Sequence, residues 1–273
     1  LLLRLGYFIS IFLDPPILFE LAVDRKIDKM SCPLCGMYVR PGAIFLGKYP
    51  FFLAFFNGIY KVGSELIPKG LIVKIIGFMG SPRFGGNSDL LLDAFLKGAK
   101  SGGAETKKIN LYGMKISPCI ECGGCDETGV CVLKDDMTGL YEELAAADVV
   151  VVSSPMFFYN ITSRTQALVE RSQACWTGKY FLKRGLLGGK KRKGVFLSVG
   201  ATKGKFLFEG ALKVMKYFFD AIDGEFAVAL LYRGVEAKGA IKDHPSALRQ
   251  AEELGRVLAQ EREASSLDYV VIP

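Results

Sequence analysis

Histidine is all but missing from this sequence: His244 stands alone among 273 residues. A Ser–His or Cys–His nucleophilic pair therefore has a single candidate base. His244 precedes Pro245 at the start of a predicted helix, where capping or exposure is its expected role. Long apolar runs are missing too. The runs 1–13 and 49–60 fall short of the ~20 residues a membrane helix needs. No cleavage region follows the first, as a signal sequence requires. Seven cysteines is an odd number, which argues against a complete disulfide framework. Basic residues exceed acidic ones, for a net charge of +7. Part of that excess is the run Lys190-Lys191-Arg192-Lys193. No aromatics interleave with it, so a solvated loop is expected rather than a nucleic-acid patch.

What is present is one strand–turn–helix around which the rest is arranged. Residues 71–88 read L-I-V-K-I-I-G-F-M-G-S-P-R-F-G-G-N-S. The apolar run with β-branched members predicts a buried strand. A glycine-rich polar turn follows. A helix then opens with Asn87 or Ser88 as N-cap, and Leu91, Leu92, Phe95, Leu96 and Ala99 on its buried face. Such a junction gathers backbone amides at the positive end of a helix dipole and suits an anion. An ordinary βα turn is the competing reading. Serine, arginine and asparagine packed between glycines favour phosphate. Residues 1–70, by contrast, show no sustained periodicity and no repeat. Cys32-Pro33-Leu34-Cys35 resembles half a zinc knuckle without a second pair nearby. The expectation is an N-terminal extension over 1–70, non-native or poorly ordered, with the functional chain starting near Met30 or at Leu71. A single domain over 71–273 follows.

Beyond Leu71 strands and helices alternate. Strands are predicted at 104–111, at the valine run 148–153, at 194–199 and at 225–232. Helices are predicted from 138 to 147, from 161 to about 176, over 208–222 and after Asp243. Asp135 and Asp136 read as caps, and Glu142 and Glu143 as a solvated face. Alternation of this kind argues for a parallel sheet with right-handed crossovers. Ligands of such sheets bind beyond the carboxyl ends of the strands, at the switch point. Three loops leave strand ends there: 80–87, 154–160 and 200–205. A fourth stretch, the loop 113–137, carries Cys119-x-x-Cys122-x-x-Cys125 and then Cys131. Four soft thiolates so close can wrap one metal centre. Metal-free thiols and zinc are the alternatives. Cys175, beside Trp176, reads as packing.

The loops G-S-P-R-F-G-G-N-S, S-S-P-M-F-F-Y-N-I-T-S-R-T-Q-A-L-V-E-R and S-V-G-A-T-K-G together resemble the NADPH-dependent FMN reductase family. The cysteine spacing is similar to that of its iron–sulfur flavoprotein branch. The resemblance covers 71–262. It implies an α/β, flavodoxin-like, doubly wound five-stranded parallel sheet, order 2-1-3-4-5, with helices on both faces. It implies FMN, its phosphate held by Ser81, Arg83, Asn87 and Ser88. Pro155, Met156, Phe157, Phe158 and Asn160 would border the isoalloxazine, with Gly200 and Ala201 on its other side. Cys119, Cys122, Cys125 and Cys131 would hold a 4Fe–4S cluster. The chemistry lies at flavin N5, so no catalytic side chain is named.

The leading expectation is a cytoplasmic oxidoreductase passing electrons from NAD(P)H to a quinone, a flavin or a redox protein. It would be a homodimer or homotetramer, with no nucleic acid partner and no membrane span. The basic run could help attract the phosphorylated cofactor. The alternative is a non-enzymatic electron carrier; a flavin-binding sensor is weaker.

Overall fold

Consecutive apolar residues, buried on both sides, build the centre of the sheet. Val149, Val151, Ile75 and Leu197 pack toward one face, while Val150, Val152, Ile76 and Phe196 pack toward the other. A continuous valine run is what a parallel strand covered by helices on both faces demands. The structure, a computed structural model, describes residues 72–185 and 190–260 in full and the backbone of Met30–Ser31, Tyr38–Val39 and Val270–Ile272. The chain divides into two units, Leu1–Lys69 and Gly70–Pro273. In the first, Met30–Ser31 pairs antiparallel with Tyr38–Val39. Cys32, Cys35, the two apolar runs and Leu71 lie outside the described residues.

The second unit runs β1 (Lys74–Met79), α1 (Asn87–Ser101), β2 (Glu105–Asn110), α2 (Met137–Ala146) and β3 (Val149–Pro155). Then come α3 (Ser163–Arg171), α4 (Gln173–Tyr180), β4 (Arg192–Gly200), α5 (Glu209–Ala221), β5 (Gly224–Arg233), α6 (Ala247–Gln260) and β6 (Val270–Ile272). All neighbours are parallel, in the order β2-β1-β3-β4-β5-β6. The expected five-stranded order is present, and the three-residue β6 extends it beside β5. The chain leaves β1 toward β2 and returns on its other side as β3, so a switch point opens between the ends of β1 and β3. Among the described residues no helix is long and apolar enough to cross a membrane.

Helices α1 and α6 cover one face together. They meet through glycine: a Cβ on Gly98 would overlap the Glu252 carbonyl, and one on Gly255 the Phe95 carbonyl. On the other face, the single helix expected up to Trp176 is two. The break is at Ser172, whose hydroxyl donates to the Leu168 carbonyl at 3.1 Å, a back-bond that bends helices. The basic run is not a solvated loop throughout. Arg192 is 2% exposed and donates to the carbonyls of Leu144 and Ala145 at the end of α2 and to that of Ile222 after α5. These are carbonyls the helices leave unpaired. Lys190 pairs with Asp148 at 2.8 Å. His244 is a cap, as expected: its Nδ1 accepts from the Ser246 and Ala247 amides at the start of α6.

Candidate functional site

The turn after β1 is stitched to the strand beside it. The Gly80 amide donates to the Ser153 carbonyl, the Ser153 hydroxyl to the Ser88 carbonyl at 2.6 Å, and the Thr162 hydroxyl to the Gly80 carbonyl at 2.6 Å. Ser153 and Thr162, which lie in the second of the quoted loops but were given no role there, therefore hold the turn from below. Its local geometry follows from small polar residues. Ser81 Oγ accepts from the Arg83 amide, and Gly85 takes a positive φ of 64°. Gly86 occupies the cap position before helix α1, which therefore has no side-chain cap. Neither expected cap serves: Asn87 is the first helical residue and Ser88 the second. The Asn87 side chain instead donates to the Ala237 carbonyl at 2.9 Å and accepts from the Ile241 amide at 3.2 Å. It staples the turn to the loop after β5.

Ser88 is the informative residue. It is 1% exposed, and its hydroxyl has no hydrogen-bond partner. A buried hydroxyl is normally paired, because leaving it unpaired costs about 1–3 kcal/mol. The unpaired hydroxyl lies in the first turn of an uncapped helix, where the amides also lack intrahelical partners. Asp89 in that turn would repel an anion. It is neutralised by Lys108, whose Nζ lies 2.6 Å from Oδ1, while its Oδ2 accepts from the Gly85 amide. Desolvation opposes the charge on Lys108, but hydrogen bonds to Asp89 and Asp93 outweigh it and raise its pKa.

Ser88 and the turn before it line a cavity of about 190 Å³ beyond the ends of β1, β3 and β4, with Asp89 and Lys108 outside its wall. It brings together Ser81, Arg83, Asn87, Ser88, Pro155, Met156, Phe157 and Ala201, eight of the eleven cofactor residues named from sequence. Gly200, Phe158 and Asn160 are not in its wall. Gly200 is buried, and a Cβ there would press on Leu207. Phe157 and Asn160 exchange backbone hydrogen bonds around a two-residue turn, with φ of 49° at Phe158 and 62° at Tyr159. That is a tight hairpin usually given to Asn-Gly. It throws the Phe158 ring fully into solvent, 103% exposed. The fourth wall was missed: Val235, Glu236 and Lys238, from the loop after β5. The rule that ligands sit beyond strand ends applied equally to that loop, and nothing but its lack of a phosphate-like motif hid it. The residues present fit a phosphate-bearing flat ligand: an idle buried hydroxyl and helix amides at one end, Met156 and Phe157 alongside.

The four cysteines of the loop between β2 and α2 line a second cavity, of about 830 Å³. The loop base is closed by its two aspartates. Asp136 Oδ2 accepts from the Lys115 amide at 2.7 Å, and Asp135 Oδ2 from the Ser117 amide at 2.9 Å. Asp135 Oδ1 accepts from the Met137 amide, so Asp135 rather than Asp136 caps α2. Positive φ at Glu121, Gly123 and Gly129 folds the loop back on itself. The Glu121 amide donates to the Cys119 sulfur at 3.5 Å. Burial raises the Cys125 pKa despite a contact with the Thr177 hydroxyl. Among the described residues, no three of histidine, cysteine, aspartate or glutamate converge on a point one metal ion could fill. A tetrahedral zinc site requires that convergence. A 4Fe–4S cluster likewise needs four thiolates around one body, and these four share the wall of one cavity. Cys175 is buried in the core away from this wall, its thiol pushed up to about 12 by burial.

An iron–sulfur flavoprotein from Methanosarcina thermophila is 35% identical over 131 residues, 48% of this chain and 65% of that protein. Another from Archaeoglobus fulgidus is 36% identical over 99 residues, 36% of this chain and 45% of that protein. The match thus spans 45% to 65% of these curated relatives. A flavone reductase structure superposes with a TM-score of 0.55 at 19% identity, over 73% of this chain and 66% of that one, which is a likeness of fold. A profile described as NADPH-dependent FMN reductase matches residues 73–219, more than half of the chain, and the protein belongs to that family.

Proposed function

We propose that this chain is an FMN-dependent oxidoreductase that takes electrons from NAD(P)H. It hands them to a quinone, a free flavin or a redox protein, by way of a 4Fe–4S cluster on Cys119, Cys122, Cys125 and Cys131. The observation that carries the reading is the idle Ser88 hydroxyl, buried at the uncapped start of α1 in a cavity walled by Met156 and Phe157. FMN supplies the hydride-accepting centre, and the cluster a one-electron exit, that side chains lack. The chain's own residues bind and orient. Ser88, the first amides of α1 and the guanidinium of Arg83 hold the phosphate dianion. Ser153 and Thr162 keep the carbonyls of the turn directed away from it by occupying them. Met156 and Phe157 cover the ring system and keep water from it, with Ala201 opposite.

The test is anaerobic purification, with FMN, iron and sulfide measured per chain and NAD(P)H oxidation followed with varied acceptors. Flavin in near-stoichiometric amount and acceptor-dependent turnover support the reading. A colourless protein that takes up no FMN overturns it. One observation favours the electron-carrier reading: Ile120, Val132 and Phe181, all more than half exposed, stand in the wall of the thiol cavity. An apolar rim of this kind suits a protein partner. Slow NAD(P)H turnover with every acceptor, beside fast exchange with a reduced ferredoxin, would favour the carrier. A homodimer or homotetramer in the cytoplasm belongs to the same proposal, and light scattering reads the assembly.

A further inference from the structure

The last residue of α3 is a charged group shut off from water. The Arg171 side chain is 0% exposed. Its Nη1 donates to Asp135 Oδ2 at 2.6 Å and to the Ser117 carbonyl at 3.0 Å, and its Nη2 reaches the Leu133 carbonyl at 3.4 Å. Ser117 enters the cysteine loop just before Cys119; Leu133 and Asp135 leave it just after Cys131. One guanidinium thus ties both ends of the segment that carries the four thiols. The Tyr141 hydroxyl donates to the Arg171 carbonyl at 2.7 Å and fixes the helix end from which the side chain springs. The third nitrogen, Nε, is buried and has no partner. Arg171 stands in the wall of the thiol cavity. A buried cation with one carboxylate and an idle donor is a costly arrangement. Packing alone would be met better by an apolar side chain.

We propose that Arg171 is the positioning residue of the cysteine site: it closes the loop at both ends and fixes a cation beside the anionic sulfur assembly the thiols hold. The proposal rests on the cluster reading above. Net charge and hydrogen bonds to sulfur set the potential of such centres. A fixed cation beside the cluster favours the form with one more electron. Lysine at this position would keep the charge but lose the fork that spans Ser117 and Asp135.

The test compares the full chain as wild type, Arg171→Lys and Arg171→Gln, each reconstituted anaerobically with ferrous iron and sulfide. FMN, iron and sulfide per chain are measured, then iron retention against a chelator and the cluster midpoint by redox titration. FMN content should be unchanged in both variants. Arg171→Gln should hold iron about ten- to hundred-fold more weakly, as loss of groups that orient metal ligands does. Arg171→Lys should fall between. The cluster that each variant keeps should be reduced at a lower potential than in wild type. Wild-type retention and midpoint in Arg171→Gln overturn the proposal. So does loss of FMN in parallel with iron in both variants, which would make Arg171 a residue of the fold alone. Wild-type protein that binds FMN but no iron overturns the cluster reading and this role with it, and the wild-type iron content alone tells that failure from the first.

Discussion

Ser88→Ala should move the free and the flavin-bound protein in opposite directions. In the free protein the Ser88 hydroxyl is buried and unpaired. Removing it relieves a desolvation penalty of about 1 kcal/mol or more while deleting no hydrogen bond of that side chain. The Ser88 carbonyl, which accepts from Ser153, is untouched. For a domain of this size about 1 kcal/mol shifts Tm by about 2–4 °C, here upward. In the bound protein the same change removes a hydrogen bond to a charged phosphate, worth about 1.5–3 kcal/mol. FMN affinity should fall about ten- to hundred-fold. At a flavin concentration about 1,000 times the wild-type Kd, binding stabilises by about 4.1 kcal/mol, and a ten-fold weaker variant gains about 2.7. The flavin-induced rise in Tm should therefore shrink by about 3–6 °C. Differential scanning fluorimetry of the stripped protein with and without FMN reads both signs. A variant that melts lower than wild type without FMN, or binds FMN as tightly, refutes the assignment of this hydroxyl to the phosphate.

Phe158→Asn should stabilise the protein by about 0.5–1 kcal/mol, because asparagine tolerates the left-handed turn and the fully exposed ring gives up no packing. FMN affinity should stay within about two-fold, since the ring lies outside the cavity; urea melts and flavin titration check the pair. Gly255→Ala should destabilise by about 1–3 kcal/mol despite alanine's helix propensity, because its Cβ meets the α1 backbone at Phe95 and Ala99. The forced shift of α1 should also weaken FMN binding, which a titration of the variant would show or deny. Burial alone would raise the Asp135 pKa, but hydrogen bonds from Arg171 and from the Ser117 and Met137 amides hold it below the usual carboxylate range. Its contribution to stability is therefore complete above the unfolded pKa of about 3.9 and disappears as pH falls through the lower folded value. The stability gap between wild type and Asp135→Asn, measured by urea melts, should close in that acid window and stay constant above it.

The sheet was legible because its signals are local. The valine run of β3 and the helical stripe of Phe208, Ala211, Met215 and Phe219 depend on residues two to four positions apart, and all of these are buried. The turn after β1 and the cysteine loop were legible for the same reason, as short spacings of glycine, serine and cysteine. The cap at His244 and the packing role of Cys175 followed from their immediate neighbours.

Tertiary structure alone decided how the polar groups of those motifs are used. Asn87 looks like a helix cap from its neighbours, yet its amide is taken by Ala237 and Ile241, some 150 residues away, which leaves Ser88 as the idle donor. Arg192 looks like one of four solvated cations until the ends of α2 and α5 arrive around it with unpaired carbonyls. Arg171 ends a motif with no evident role until folding sets it beneath a loop that closes on both its sides. Hydrophobic period is a property of one segment and is written along the chain. Which buried donor meets which acceptor is a property of segments brought together by the sheet, and each such group takes the partner that burial makes available.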